Sequence, residues 1–301
     1  MDKLRGIQTF IAIADRGSLT AAAAALDTSL PTVVRRLAEL EDNLGVRLFN
    51  RTTRRIHLTD EGHRYLAICR QALGQLEDAE DTLFDARAEP AGKLVITTPV
   101  LFGRLHVAPL VRAFMREHPA VTVEMLMLDR SIDLIEEGVD LAVRIGHLAD
   151  STLHAVPVGQ LRRVVCASPE YLKANGTPRH PSELGAHAGI GFTGRSVLRE
   201  WQFREDGRLS GVRIAPRMTT NLVEAAVDAC CDGLGLGVFL TYQVQAAVRA
   251  GKLKPVLRKF ETDPLPISIL YPHARLMSAR VRAFIDFAVP RLRAEDFTRL
   301  S

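Results

Sequence analysis

The chain has 301 residues, 47% hydrophobic and 25% charged, the ordinary balance of a globular protein that buries a large core. Its length suggests roughly two domains of about 150 residues each. Its apolar runs, such as residues 123–128 interrupted by Glu124, fall far short of the roughly 18 residues that span a membrane. A net charge of +4 permits a polyanionic partner without demanding one.

In chain order, residues 4–14 read as a helix, because Leu4, Ile7, Phe10, Ile11 and Ala14 recur at helical spacing. The apolar run 10–14 ends at Asp15 and Arg16 without a cleavage site, so no signal peptide is expected and a cytoplasmic location is. Gly17 stops the helix, and Ser18 caps an alanine-rich one over 19–26. After a turn at Asp27 and Thr28, Ser29 caps a third helix with Pro31 in its first turn. Val33, Leu37, Leu40 and Leu44 line its inner face, and Gly45 ends it. Residues 48–49 and 56–58 read as short strands around an arginine-rich tip, 50–55.

Residues 60 to about 87 read as one proline-free helix, capped by Thr59 and about 42 Å long at 1.5 Å per residue. Tyr65, Cys69, Ala72, Leu76, Ala79 and Leu83 recur in alternating steps of four and three, the seam of a coiled coil. A second copy of the chain is the expected partner; packing on the chain's own residues is the alternative. The basic tip precedes this helix, and residues 77–89 carry Glu77, Asp78, Glu80, Asp81, Asp85 and Glu89 against Arg87 alone, so the charge asymmetry points to DNA at the N-terminal end.

Residues 89–92 break the chain. Beyond them strands at 94–97, 121–128, 141–145, 163–167, 189–192, 214–218, 234–238 and 267–271 alternate with helices at 102–117, up to 137, 222–231 and 278–287. That is an α/β pattern with mostly parallel sheets, and two strand groups suggest two lobes. The domain expectation is a DNA-binding domain over 1–59 with its helix-turn-helix at about 19–38, a linker and dimerisation helix over 60–89, and an α/β domain over 91–301. Its first lobe takes about 91–162 and 266–301, and its second about 163–265.

A recognition helix lies in the major groove with its N-terminal residues on base edges, braced by the helix before it. Ala21 to Ala25 supply the small residues of such a crossing, and Thr32, Arg35 and Arg36 the donors. Phe10 to Ala23, then Leu26, Ser29, Pro31, Leu37, Leu40, Glu41, Leu44, Gly45, Leu48, Phe49, Arg51, Leu58, Thr59 and Gly62, resemble the LysR-type transcriptional regulators. Residues 143–146, 165–169 and 233–237 are similar to that family's effector region, so the resemblance covers essentially the whole chain. It implies a winged helix-turn-helix, a dimerising linker helix and a two-lobed periplasmic-binding-protein-like domain whose ligand tunes transcription. Leu30 and Val34 stand where the family commonly has glutamine and serine. They could touch thymine methyls or turn inward.

The expected DNA contacts are Ser18, Thr20, Thr28, Ser29, Leu30, Pro31, Thr32, Val34, Arg35 and Arg36, with Arg51, Thr52, Thr53, Arg54 and Arg55 of the wing on phosphates or a minor groove. The expected operator is an interrupted inverted repeat in double-stranded DNA, bound by a homodimer or homotetramer, with RNA polymerase a candidate further partner. Ligands of open α/β sheets sit beyond the carboxyl ends of strands. That rule selects Thr97, Thr98, Pro99, Val100, Leu101, Phe102, Arg130, Arg144, Gly146, Thr193, Thr220, Asn221 and Phe239. A helix start after Pro99 with arginine nearby favours a small, partly hydrophobic carboxylate. An internal salt bridge to Asp129 or Glu136 is the alternative for Arg144.

No cofactor or metal is expected, since the nine histidines and four cysteines show no ligand spacing. Cys230 and Cys231 could form a redox pair; buried thiols are the plainer expectation. A transport protein or enzyme on the C-terminal fold would need an export signal or a catalytic constellation, and an architectural DNA protein would not need the α/β cleft.

Overall fold

The computed structural model describes residues 2–51, 56–84, 89–147, 153–192, 200–272 and 277–300. The chain divides into two compact units, one of Met1–Ala88, Asp133–Val139 and Ala274–Ala279 and the other of Glu89–Ile132, Asp140–His273 and Arg280–Ser301.

The first unit begins with α1 (Lys3–Arg16), capped by Asp2, which accepts from the Arg5 amide at 3.3 Å. In α2 (Leu19–Ala25), Ser18 is the cap and Ala22 and Ala23 turn inward. In α3 (Leu30–Leu44), Ser29 accepts from the Thr32 amide, while Val33, Leu37 and Leu40 pack with Phe10 and Ile13 in one apolar cluster. Strands β1 (Phe49–Arg51) and β2 (Ile56–Leu58) pair antiparallel as the wing, with Phe49 opposite Leu58.

One buried carboxylate holds the wing to α3. Glu41 is 4% exposed, and its Oε1 accepts from the amides of Leu48 (2.8 Å) and Phe49 (3.2 Å). Thr59 secures the other strand end. Its Oγ1 donates to the Arg47 carbonyl at 2.8 Å and accepts from the Gly62 amide at 2.9 Å. A Cβ at position 62 would stand 2.1 Å from the Leu48 carbonyl oxygen, so only glycine lets α4 (Asp60–Phe84) start against the wing.

The first turns of α4 belong to this core, which corrects the seam expected from spacing. Cys69 is buried in the apolar cluster, and the Tyr65 ring lies 5.6 Å from that of Phe10. An Arg70–Asp15 ion pair ties α4 to α1. The stripe left outside starts one turn later, at Ile68 (60% exposed), Ala72 and Leu76 (44%). Ala79 and Leu83 continue α4, but their side chains lie outside those described.

In the second unit the order is β3 (Gly92–Thr98), the turn α5 (Val100–Phe102), a π-helical turn Gly103–Val107, α6 (Ala108–Glu117), β4 (Val121–Met127), β5 (Leu141–Ile145) and β6 (Leu153–Leu161). Then come β7 (Arg163–Ala167), α7 (Pro169–Asn175), β8 (Gly189–Phe192), β9 (Glu200–Glu205), β10 (Arg208–Arg213) and β11 (Pro216–Thr220). The chain ends with α8 (Val223–Cys231), β12 (Leu236–Leu240), α9 (Thr241–Arg249), β13 (Lys254–Val256), β14 (Leu265–Pro272) and α10 (Ala279–Arg293).

Two five-stranded sheets result, ordered β4-β3-β5-β14-β6 and β11-β8-β12-β7-β13, with β9 and β10 as a separate hairpin. In each, four strands run in one direction and one (β14 or β7) runs against them, so two of the four pairings are parallel and two antiparallel, and the sheets are mixed rather than mostly parallel. Residues 134–138 form turns in place of the short helix expected up to 137: the Asp133 carboxylate caps them by accepting from the amides of Ile135 (2.8 Å) and Glu136 (3.1 Å), and Gly138, at φ 63°, ends them after one turn.

The C-terminal tail binds at the crossover between the sheets. Arg162, between β6 and β7, donates from Nε (3.2 Å) and Nη2 (2.9 Å) to the Thr298 carbonyl. Thr241 Oγ1 donates to the Phe297 carbonyl at 2.5 Å. The Phe297 ring packs on Phe102 and His106. His106 lies with Nδ1 2.9 Å from Glu295, yet burial, the larger influence, holds its pKa below the ordinary 6.5.

Two predictions follow from these contacts. Replacing Glu41 by alanine strands two buried amides and lowers unfolding stability by about 2 kcal/mol in urea titrations, while Glu41→Gln, which keeps an acceptor oxygen, recovers part of it. The depressed pKa of His106 means that the unfolded chain takes up its proton first. The stability due to neutral His106 is therefore full above pH 6.5 and is lost as pH falls below it. Melting temperatures followed from pH 7.5 to 5.5 decline less steeply for His106→Gln; an unchanged slope refutes the assignment.

Candidate functional site

The start of α3 is the candidate DNA-facing edge. Ser29, Leu30, Pro31 and Arg35 are exposed there, and Thr28, Thr32, Val34 and Arg36 are half-buried. Leu30 therefore points outward and is not core. The hydroxyls of Ser29 and Thr32 lie 2.8 Å apart, which pre-positions Thr32 at the helix start. Arg35 reaches only 3.9 Å from Glu39 in an exposed pair, a contact weak enough to be exchanged for a phosphate or base. Ser18 caps α2, and Thr20 is exposed in its first turn. Arg51 ends β1 with its side chain undescribed, and Thr52, Thr53, Arg54 and Arg55 lie outside the described residues.

The second unit holds a cavity of about 500 Å³, within the usual range of small-molecule sites. Its lining comes from strand ends, as the carboxyl-end rule anticipates for parallel strands. Pro99 follows β3, Asp129 follows β4, and Ile145, Gly146 and His147 end β5. Phe192 ends β8, and Val238, Phe239 and Leu240 end β12, with Tyr242 and Gln243 opening α9. Arg163 opens β7; Gln202, Arg204 and Leu209 come from the hairpin; Thr262, Asp263 and Leu265 come from the return toward β14.

Of the expected effector residues, Pro99, Gly146 and Phe239 meet in this cavity. The other described ones do not line it. Thr97 and Thr98 are fully buried, because β3 is flanked by β4 and β5; Thr97 Oγ1 donates to the Leu126 carbonyl at 2.9 Å. Leu101 and Phe102 turn into the core, where Phe102 meets Tyr242 edge-on, and Val100 lies outside the lining. Arg144 is buried on β5, and Arg130 is exposed away from the cavity. Thr220, the last residue of the edge strand β11, accepts at Oγ1 from the Leu222 amide at 3.1 Å, and Asn221 after it is exposed. Thr193 lies outside the described residues.

Sequence reasoning missed Arg163, Gln202, Arg204, Tyr242 and Asp263 as lining residues. A signal for the hairpin was present: Trp201 and Phe203 alternate with polar residues ahead of an Asp206–Gly207 turn, a strong hairpin cue.

The electrostatics of the cavity differ from those expected of a bare helix start. The Val100 amide donates to Asp129 Oδ1 at 3.2 Å, so a carboxylate of the chain already sits there. Arg204 pairs with Asp263. Burial pushes the Tyr242 phenol well above its ordinary value, which keeps it protonated, and its oxygen accepts from Gln243 Nε2 at 3.3 Å. Cys69, Cys166 and Cys230 are buried free thiols and Cys231 is half-buried; burial pushes Cys166 up to about 12, which suppresses thiolate reactivity. Among the described residues no group of three His, Cys, Asp or Glu side chains is placed to hold a metal ion, and no helix is long and apolar enough to cross a membrane.

Residues 4–63 match the model for the bacterial regulatory helix-turn-helix protein of the lysR family, and residues 87–293 that for the LysR substrate binding domain. The chain is 36% identical to the transcriptional regulator PtxR of Pseudomonas aeruginosa over 294 residues, 98% of this chain and 94% of the relative. Among solved structures it resembles full-length AphB, a Vibrio cholerae virulence activator, at TM-score 0.63 and 28% identity, covering 95% of this chain and 98% of that one. It also resembles CrgA of Neisseria meningitidis at TM-score 0.61 and 31% identity, covering 96% and 98%. The chain belongs to the LysR family of transcriptional regulators.

Proposed function

We propose that this LysR-type regulator binds an interrupted inverted repeat as a dimer or a tetramer, and that a small organic acid held in the cavity modulates that binding. The observation that carries the reading is the cavity at the carboxyl ends of the parallel strands, in a chain that also carries a winged helix-turn-helix with an outward-facing recognition edge. The two-fold character rests on α4. Ile68, Ala72 and Leu76 are exposed at steps of four, which puts them on one face of the helix. Ala79 and Leu83 extend the apolar spacing along the same helix. A second copy of α4 is the occupant proposed for that stripe, since it would give each half of a dyad operator one recognition helix.

Base readout on this reading falls to Thr32, Arg35 and Arg36, with Leu30 offering a thymine methyl an apolar contact in place of an amide's hydrogen bonds. The wing arginines serve the backbone. Arg36→Ala therefore reduces discrimination between operator and random DNA by about 1–3 kcal/mol. Arg54→Ala weakens binding to both alike and lowers the salt slope by about 1. Footprinting and salt titrations of the two variants test this assignment, which fails if both lose affinity equally for all sequences. Leu76→Glu places a charge in the stripe; sedimentation then shows monomer and the bounded footprint disappears. A dimer that persists in this variant rules out the α4 stripe as the interface. Footprints taken with and without candidate organic acids test the effector itself.

A further inference from the structure

The β9–β10 hairpin is built to present one face to the cavity. Trp201 and Phe203 are buried among Leu236, Val256 and Leu257. Strand alternation then turns Gln202 and Arg204 the other way, and both line the cavity. Leu209 pairs directly with Arg204, so it shares that face, where it is 61% exposed. Positive φ at Asp206 (46°) and Gly207 (78°) makes the tight turn that fixes this register.

Two lining residues on this side carry buried polar atoms with no hydrogen-bond partner, Arg204 Nε and Thr262 Oγ1. Native interiors leave few such atoms unpaired. The rest of the Arg204 guanidinium is anchored, with Nη1 donating to the Gly207 carbonyl at 3.2 Å and Nη2 paired with Asp263. Each is a donor on a residue of the cavity lining, and an acceptor oxygen of a ligand is what each would take. Beside Pro99 and Gly146 the chemistry is opposite. There Asp129 presents a carboxylate and accepts from the Val100 amide. Two arginines (Arg163 and Arg204) and two aspartates (Asp129 and Asp263) line the cavity, so these four formal charges cancel. The lining thus carries groups for an anion and, at Asp129, a group for a cation, which suits a ligand that bears both charges.

From this juxtaposition we infer that the effector is amphoteric, an amino-acid-like molecule. Its anionic group is held by Arg204 and Thr262 on the hairpin side, its cationic donor faces Asp129, and its apolar body lies on Phe192, Val238 and Phe239. The inference rests on the proposed function, in which the cavity takes the effector, and it moves the acid group from the helix start after Pro99 to the hairpin.

The test uses the full chain and matched trios of probes read by calorimetry and thermal shift. One trio is L-phenylalanine, 3-phenylpropanoate and 2-phenylethylamine; another is L-leucine, 4-methylpentanoate and 3-methylbutylamine; the other apolar amino acids are treated alike. The expected result is at least one trio in which the amino acid binds tenfold or more tightly than either single-charge analogue. For that amino acid Arg204→Ala costs at least tenfold. Asp129→Asn, which keeps the acceptor for the Val100 amide, weakens the amino acid but not the deaminated acid. Deaminated acids that match their amino acids throughout, no binding by any trio, or an Arg204→Ala variant of unchanged affinity each overturn the inference. Val238→Trp, which fills the cavity, separates the two levels. Binding that survives it places the ligand elsewhere and sinks the underlying reading. Binding lost in Val238→Trp but untouched by Arg204→Ala sinks only the amphoteric assignment. Far-ultraviolet circular dichroism and an intact operator footprint show that each variant is folded.

Discussion

Glu41 is a carboxylate almost without access to water, and it persists there because the amides of Leu48 and Phe49 donate to it. A buried polar group without such partners destabilises the fold that holds it. That requirement sets the shape of the first unit. The chain leaving α3 has to curl back at once so that residues 48 and 49 reach Glu41, and the curl becomes the wing. Thr59 and Gly62 then fit α4 against the same backbone, with no room for a side chain at position 62. Recognition helix, wing and linker helix are thus positioned by one short run of backbone, residues 47–49.

The same demand organises the second unit. Asp140 accepts from the Val95 amide at 2.7 Å and returns its own amide to the Val95 carbonyl at 3.0 Å, which registers β5 on β3. Thr97 spends its hydroxyl on the Leu126 carbonyl, and Thr241 spends its on the tail. This explains why hydroxyls at strand ends were poor guides to the ligand site: a threonine on a central strand is recruited to hold the sheet. Against that background of satisfied groups, the unpaired atoms of Arg204 and Thr262 at a cavity wall stand out.

Local signals were legible where they depend on a few neighbouring residues. Ser18, Ser29 and Thr59 cap the helices they precede, and Gly17 and Gly45 end theirs, because capping is a matter of backbone amides within three residues. Signals that need a distant partner were ambiguous. Tyr65 and Cys69 satisfy a heptad spacing, yet α1 supplies the apolar surface that covers them, and no spacing rule contains α1. Strand β6 escaped notice because Pro157 and Gly159 interrupt it; it lies on a sheet edge, where proline is tolerated, and its register shifts beside that residue. Of the cavity, the strand-end rule found Pro99, Gly146 and Phe239. It could not find Arg163, Tyr242 or the hairpin, whose residues open a strand, begin a helix or belong to neither five-stranded sheet.

A ligand biases a conformational equilibrium only through a difference in its affinity for the two states. The tail bonds of Arg162 and Thr241 tie the two sheets at their crossover, whereas the cavity walls come from both sheets and from the hairpin. A ligand gripped at one wall alone keeps its contacts whatever the separation of the walls, and so favours no separation. A ligand with one charged end on Arg204 and the other at Asp129 keeps both contacts only over a narrow range of separations. Its binding energy therefore depends on the geometry of the domain, which is what a regulatory ligand requires. On this argument the opposite chemistry of the two walls serves regulation as well as selectivity, because it converts occupancy of the cavity into a preference for one arrangement of the sheets.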